Sequence, residues 1–388
     1  MTERLYHADA FLRRFRSTVL AHAHHDGRPS LVLAATAFYP EAGGQMADRG
    51  TLGGRPVLDV QVDAAGRVHH VVDGERPAIG AEVEGAIDWA RRRVHMALHT
   101  GQHLLSRTLI EAAGAETVSA RLGESDCTID VARDGVPERE LAAAEALANA
   151  IVDDDLPVRA WFPAPGELAA LPLRREPKVA SEVRVVAIGD VDYSPCGGTH
   201  CASSAQIGPL RVLAAERYKG LTRIHFAAGA RARGIFAEHG DVLARLAREL
   251  TCAPAEVPAT VERLRRALAD SRAEAAAARD QLAALLARAL LATATADEVV
   301  ATVPEAALLR PVATHLVAAG KDALLAAATV DGTQVVLARA AGSTLDCGAL
   351  LRRLAQAAGG RGGGRPEHAE GRLPPATDWP TAVGAARS

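Results

Sequence analysis

Up to about residue 90 the chain alternates apolar and polar positions in short runs. STVLAHA, SLVLAAT, VLDVQVD, VHHVV and AEVEGAI are separated by turn signals at Asp26-Gly27, Gly53-Gly54, Ala65-Gly66 and Asp73-Gly74. A period of two bounded by such turns predicts strands, and their close spacing predicts a small barrel or sandwich. Pro40 to Gly50 interrupts the pattern as a loop. From Trp89 the period changes: Val94, Leu98, Leu105 and Leu109 fall on one helical face, and Gly114 ends that helix. TVSARL and CTIDVA then read as a hairpin. Residues 137–152 read as a helix with Pro137 at its first position. Alternation returns in PVRAWF, EVRVVAI, GPLRVLAA and TRIHFAA, so the middle of the chain is α+β.

Residues 257–289 follow a third pattern. Val257, Val261, Leu264, Leu268, Ser271, Ala275, Ala278, Leu282, Leu285 and Ala289 alternate steps of four and three, without Gly or Pro between Pro258 and Pro304. That is a heptad seam on one long helix, spanning roughly 50 Å at the α-helical rise. The Ala and Ser positions give the seam little to bury, so a spacer helix is the plainer reading than a tight dimer. LLAAAT and TQVVLARA, with a turn at Asp331-Gly332, and the helical DCGALLRRLAQAA predict a small α/β unit after Pro304. Its helix runs into the glycine-rich stretch from Gly359 to Pro366.

A length of 388 residues suggests two to three domains, and 48% hydrophobic with 23% charged residues is enough apolar mass for real cores. A net charge of −3 excludes a globally basic nucleic-acid coat but not a local basic face. Only Lys178, Lys219 and Lys321 are lysines among the 44 basic residues, a bias of composition with no evident functional content. No apolar run predicts a membrane span and the first residues do not form a signal peptide. The expected location is the cytoplasm, where disulfides are rare. The five scattered cysteines therefore read as free thiols or metal ligands.

Two short motifs carry candidate chemistry. His99 and His103 lie four apart on a predicted helix and so share a face, where two imidazoles can meet one metal ion. His95, one turn earlier beside three arginines, reads as a polar edge residue instead. Cys196-Gly-Gly-Thr-His200 follows a predicted strand, and its glycines let a thiolate and an imidazole turn to one point. Together they form a His, His, Cys, His set of the donor types zinc prefers. Cys201 is the competing thiol; as the strand neighbour of His200 it is expected to face away. The helix lacks the glutamate of the metalloprotease motif, so any hydrolysis must find its base elsewhere. Arg352, Arg353, Arg361, Arg365 and Arg372 outnumber Glu367 and Glu370 around the glycine run, which is suited to phosphate contact or to a solvated loop.

HTGQHLLS, TVSARLGESDCTID, VRVVAIGDVDYSPCGGTH and the upstream FYPEAGGQMADRGTL resemble the editing region of alanyl-tRNA synthetases. They resemble the free-standing AlaX-type alanyl-tRNA editing proteins, long form, still more closely. GGRGGGRPEHAEG resembles the DHH-associated C-terminal domain of the same synthetases. The sequence departs from the pattern at Ala42, Met46, Arg121 and in CASSAQIG. The resemblance implies an α+β chain with a β-barrel domain at 1–90, a zinc-binding editing domain at 91–252, a helical spacer at 253–295 and a small C-terminal domain at 296–388. It implies one Zn2+ per chain, held by His99, His103, Cys196 and His200, and hydrolysis of tRNA(Ala) mischarged with serine, with glycine as a second candidate. Gln45, on its Gly-rich loop, is a candidate polar group at the ester. Ser119 sits where the resemblance places a hydroxyl that discriminates serine, and Thr100 is the other candidate. The resemblance also favours tRNA contact by Arg361, Gly362, Gly363 and Arg365. A homodimer through the long helix or the C-terminal domain is a further expectation. The alternative function is a non-catalytic protein that binds tRNA or a synthetase through a degenerate editing fold.

Overall fold

Six of the strands before residue 90 close into a barrel, which decides between barrel and sandwich. In spatial order they are Arg14–His25, Arg28–Leu33, Val68–Val72, Arg55–Val62, Gly50–Leu52 and Glu82–Ile87. Asp26-Gly27 and Gly53-Gly54 each link strands in register, His25 to Arg28 and Leu52 to Arg55, with both turn residues at positive φ. These two-residue turns match the right-handed twist of the strands they join. Alternate residues point inward, and Val19, Leu31, Leu33, Phe38, Leu52, Val60 and Val68 fill the interior. The computed structural model describes residues 2–177, 182–375 and 377–387. The chain divides into two compact units, Met1–Ala244 and Arg245–Ser388.

In the first unit, helix Trp89–Ala113 starts at Asp88, whose carboxylate accepts from the Arg91 N–H, and stops at the left-handed Gly114. Helix Glu138–Asp153 packs on it. Pro137 is the cap of that second helix, one position earlier than the sequence predicts, in extended backbone with φ −61 and ψ 146. The predicted hairpin forms from Thr117–Leu122 and Cys127–Val131 and is the edge of a four-stranded antiparallel sheet completed by Leu221–Ala228 and Leu210–Tyr218. A second, three-stranded sheet holds Val158–Trp161, Val185–Ile188 and Asp192–Pro195. The strand expected over EVRVVAI is thus shorter, and an unforeseen partner, Asp192–Pro195, comes between it and the CGGTH motif. Sequence analysis also assigned no helix to Gly229–Glu249, which is helical throughout.

In the second unit the long helix runs Val257–Thr293, one turn beyond the expected end. A five-stranded sheet has the order Glu298–Thr302, Asp322–Thr329, Gly332–Ala338, His368–Leu373, Arg361–Gly364, with only the first pair parallel. Strands Asp322–Thr329 and Gly332–Ala338 are buried on both faces for most of their length, whereas Arg361–Gly364 is exposed. Leu324, Ala326, Val335 and Leu337 face helix Cys347–Ala358, whereas Ala323, Leu325, Ala327 and Val336 face helix Leu309–Ala318 together with Ala283 and Ala287 of the long helix. The long helix therefore packs through Ala283 and Ala287, and the seam residues Leu264, Leu268, Leu282 and Leu285 remain exposed. Small side chains allow close approach of helix to helix, which decides the face used. The glycine run Arg361–Gly364 is an edge strand, where the sequence suggested a loop. Among the described residues no helix is long and apolar enough to cross a membrane.

Candidate metal centre

Helix Trp89–Ala113 supplies His99 and His103 one turn apart, and the loop after strand Asp192–Pro195 supplies Cys196 and His200. The two motifs, about a hundred residues apart, meet with their four donor atoms within 4.8 Å of one another. Cys196 Sγ lies 3.4 Å from His99 Nε2 and 3.3 Å from His200 Nε2. Tetrahedral zinc with ordinary Zn–N and Zn–S bonds needs N···S edges of roughly 3.5 Å, so the donor set and its spacing fit that ion. Cys201 lies outside the group; its N–H donates to Thr100 Oγ1. Gly198 makes the close turn possible, because a Cβ there would lie 2.2 Å from the His99 ring.

Two of the three imidazoles are oriented from behind by hydrogen bonds. Gln45 is completely buried; its Nε2 donates to Thr199 Oγ1, and its Oε1 accepts from the Thr199 N–H at 3.2 Å. That fixes the amide, so Oε1 also accepts from His99 Nδ1–H at 2.7 Å and His99 Nε2 is left facing the thiol. Thr100 Oγ1 donates to Met96 O, so it must accept from His200 Nδ1–H, again leaving Nε2 toward Cys196. His103 Nδ1 has no hydrogen-bond partner among the described residues; Asp192 Oδ2 lies 3.5 Å away. Arg174 Nε and Ser194 Oγ hold that buried carboxylate at 2.7 and 2.8 Å. Burial pushes His99 down to about 3 and holds His103 and His200 well below the usual histidine range, so all three are neutral. Burial alone raises the Cys196 thiol. Three neutral imidazoles around one thiol are a metal-receiving set, since only a cation makes the thiolate favourable there.

The site is clamped to the barrel. The Leu122 N–H donates to Gly44 O, and a Cβ on Gly44 would meet Ala120 O at 2.6 Å. Asp48, on the same loop, takes Arg92 Nε at 3.0 and 2.9 Å, while Arg92 also donates to Ala10 O and Ala37 O. This loop covers the start of the helix, so His95, expected as a polar edge residue, is buried. Cys196 and His99 open into a cavity of ≈ 690 Å³ that Ser119, Arg184 and Phe162 also line. Ser119 Oγ donates to Asp130 Oδ2, and Arg223 grips that carboxylate with two bonds. Thr100 is fully buried behind His200 and does not line the cavity. Arg361, Gly362, Gly363 and Arg365 belong to the other unit, where Arg361 and Gly362 with Gln334, Glu370, Gly371 and Arg372 line an open cleft of ≈ 430 Å³ and Gly363 and Arg365 do not. Sequence reasoning missed Asp192, Arg184 and Thr199. Asp192 carried a legible signal, a carboxylate four residues before a candidate ligand thiol; Arg184 and Thr199 carried none.

A cavity over a buried four-donor group, built beside a small barrel, matches a class of domains that accompany aminoacyl-tRNA synthetases. Residues 183–225 match the family described as threonyl and alanyl tRNA synthetase second additional domain. The chain is 33% identical over 276 residues to the alanyl-tRNA editing protein AlaX-L of Pyrococcus horikoshii, covering 69% of this chain and 67% of that protein. It is 34% identical over 387 residues to the alanine–tRNA ligase of Archaeoglobus fulgidus, 95% of this chain but 42% of the ligase. With the ligase of Pyrobaculum neutrophilum the figures are 39% over 244 residues, 59% and 27%. The chain thus spans less than half the length of these ligases. It belongs to the alanyl-tRNA editing protein family.

Proposed function

We propose that the protein hydrolyses the ester joining a wrong amino acid to tRNA(Ala), chiefly serine, with glycine as the second substrate. The observation that carries this reading is the four-donor group opening into a cavity, in a chain of the editing family. His99, His103, Cys196 and His200 are the residues that hold the ion, which we take to be zinc. When bound, zinc supplies Lewis acidity at an ester carbonyl or a water. Around it the chain's own residues orient the reacting groups: Gln45 fixes the His99 tautomer, Thr100 that of His200, and Asp192 faces His103. In this reading Gln45 and Thr100 act through the ligands they orient.

Ser119 recognises the substrate's side chain. Because its hydroxyl hydrogen is committed to Asp130, its lone pairs accept from the serine hydroxyl, which an alanine cannot offer. This bond favours serine over alanine beyond what an apolar pocket can achieve; glycine, which also lacks the hydroxyl, gains nothing from it and is the lesser substrate. Deacylation of Ser-, Gly- and Ala-tRNA(Ala) by the zinc-loaded protein tests the whole. Serine release far above buffer with alanine spared supports it; tRNA binding with neither zinc nor release favours the non-catalytic alternative. Ser119→Ala should lower the serine rate selectively, by roughly tenfold for one lost hydrogen bond. Cys196→Ala should lose both stoichiometric zinc and deacylation, while Cys201→Ala keeps both; the reverse pattern overturns the ligand assignment.

A further inference from the structure

Beyond the metal group, the cavity wall carries a row of rings and a cation without a counter-charge. Tyr39 and Tyr6 are buried edge to face with centroids 5.3 Å apart. Tyr6 meets His7 at 4.7 Å, and His7 meets Phe162 at 5.7 Å. The row ends in the open, because Phe162 is 50% exposed. A large apolar ring left half in water on the wall of a cavity has a free face for a flat partner. Burial, aided by Arg184 and Arg4, holds His7 down to about 4, so the ring behind Phe162 is neutral.

Arg184 stands on the same wall and is only 6% exposed. One amino group donates to Cys196 O and Gly198 O at 3.1 and 2.9 Å, and Nε has no partner among the described residues. Among those residues no carboxylate pairs with it: the groups that favour its charge are Cys196, Tyr39 and Tyr6. The carboxylates of Glu176 and Glu182 line the cavity, as do Arg4 and Arg175, and none is in ion-pair contact with Arg184. A divalent ion on three neutral imidazoles and one thiolate leaves a net +1, so the thiolate does not neutralise the guanidinium either. A buried unpaired cation is costly unless an anion completes it. Arg184 and His7 both reach the CGGTH loop, the former through Cys196 O and Gly198 O and the latter beside Gly197.

We propose that this wall is the seat of the RNA's terminal nucleotide: the last base stacks on the exposed face of Phe162, and the phosphodiester preceding it pairs with Arg184. The inference rests on the editing reading for the identity of the RNA and adds which atoms of it are held. Stacking on an aromatic ring is tolerant of base identity, and a phosphate contact carries no sequence information, so the seat fixes the ester's position and leaves tRNA identity to other contacts.

The test is a binding cycle on the full-length, metal-loaded protein. The probe is an acceptor-stem minihelix ending in an unpaired adenosine, with serine attached by a non-hydrolysable amide. A second probe lacks only the terminal base, and a third has the last phosphate replaced by neutral methylphosphonate. Phe162→Ala should weaken binding of the first probe roughly tenfold and of the abasic probe less than twofold, while Phe162→Tyr retains wild-type affinity. Methylphosphonate should weaken binding to the wild-type protein by a similar factor. Equal loss on the intact and abasic probes, or no penalty for the neutral linkage, overturns the proposal. Hydrolysis of ordinary Ser-tRNA(Ala) by wild-type protein is measured alongside. If hydrolysis fails while the cycle holds, the editing reading falls; if the cycle fails while hydrolysis holds, only this seat does.

Discussion

Gln45 and Asp48 sit three residues apart on one loop and do different work. The Gln45 amide is the only group described at His99 Nδ1, so Gln45→Leu, similar in bulk, leaves that N–H buried without an acceptor. Loss of an outer partner of a metal-bound histidine ordinarily costs about 10–100-fold in metal affinity. Zinc competition against a chromogenic chelator should show a loss of that size, with the fold retained by circular dichroism. Asp48 and Arg92 are both fully buried, and the carboxylate also accepts from the Tyr39 N–H at 2.7 Å. Asp48→Ala strands a guanidinium in the interior, which should cost about 3–5 kcal/mol. Urea denaturation of the variant reads this directly; a change below 1 kcal/mol means that water reaches the arginine. Both residues were visible in the sequence as members of a loop, but only Gln45 stood out, because nothing local says that Asp48 faces an arginine forty-four positions later.

Elements were legible where the pattern was local. Five of the six barrel strands, the HxxxH helix, the hairpin after it and the long helix follow from periods of two and 3.6 and from Gly turns; Gly50–Leu52, only three residues long, shows no period and was not predicted. The four donors were legible as two motifs, each weak alone. What was hidden depended on tertiary partners. Asp192–Pro195 is too short to show a period, and it is a strand because Val185–Ile188 lies beside it. The glycine run looked like a loop because glycine disfavours strands, yet packing demands it: a Cβ on Gly362 would meet Gly371 Cα at 2.8 Å and Leu351 Cδ2 at 2.9 Å. Gly362→Ala should therefore destabilise the second unit by about 1–3 kcal/mol through overpacking, read as a lowered melting transition. Leu264→Asp with Leu268→Asp should change stability by less than about 0.5 kcal/mol, since both side chains are already exposed. Sedimentation of the same variant tests the homodimer expectation, with a shift to smaller mass assigning the seam to a chain–chain contact.

At the scale of the whole chain, each unit has its own core and each carries a different part of the proposed task. All four donors lie in Met1–Ala244, and Arg361, in the glycine strand, and Arg365, just after it, lie in Arg245–Ser388. Arg361→Ala with Arg365→Ala should raise the tRNA concentration for half-maximal deacylation and flatten its dependence on salt by up to about two in the log–log slope. The rate at saturation should not change. A fall in the saturated rate with unchanged half-saturation assigns these residues to something other than tRNA capture.

The contacts that build the metal group join positions far apart along the chain: Gln45 to His99 across 54 residues, Gln45 to Thr199 across 154, Thr100 to His200 across 100. Such closures form late and together, because each loop's entropy must be overcome before any contact rewards it. A nascent chain that ends before residue 200 therefore lacks one of the four donors, and a chain that opens at the loop from Pro40 to Gly50 loses the Gln45 contacts to His99 and Thr199. On the proposed function, a copy without this closure lacks the assembled donor group and with it the deacylation that depends on the ion.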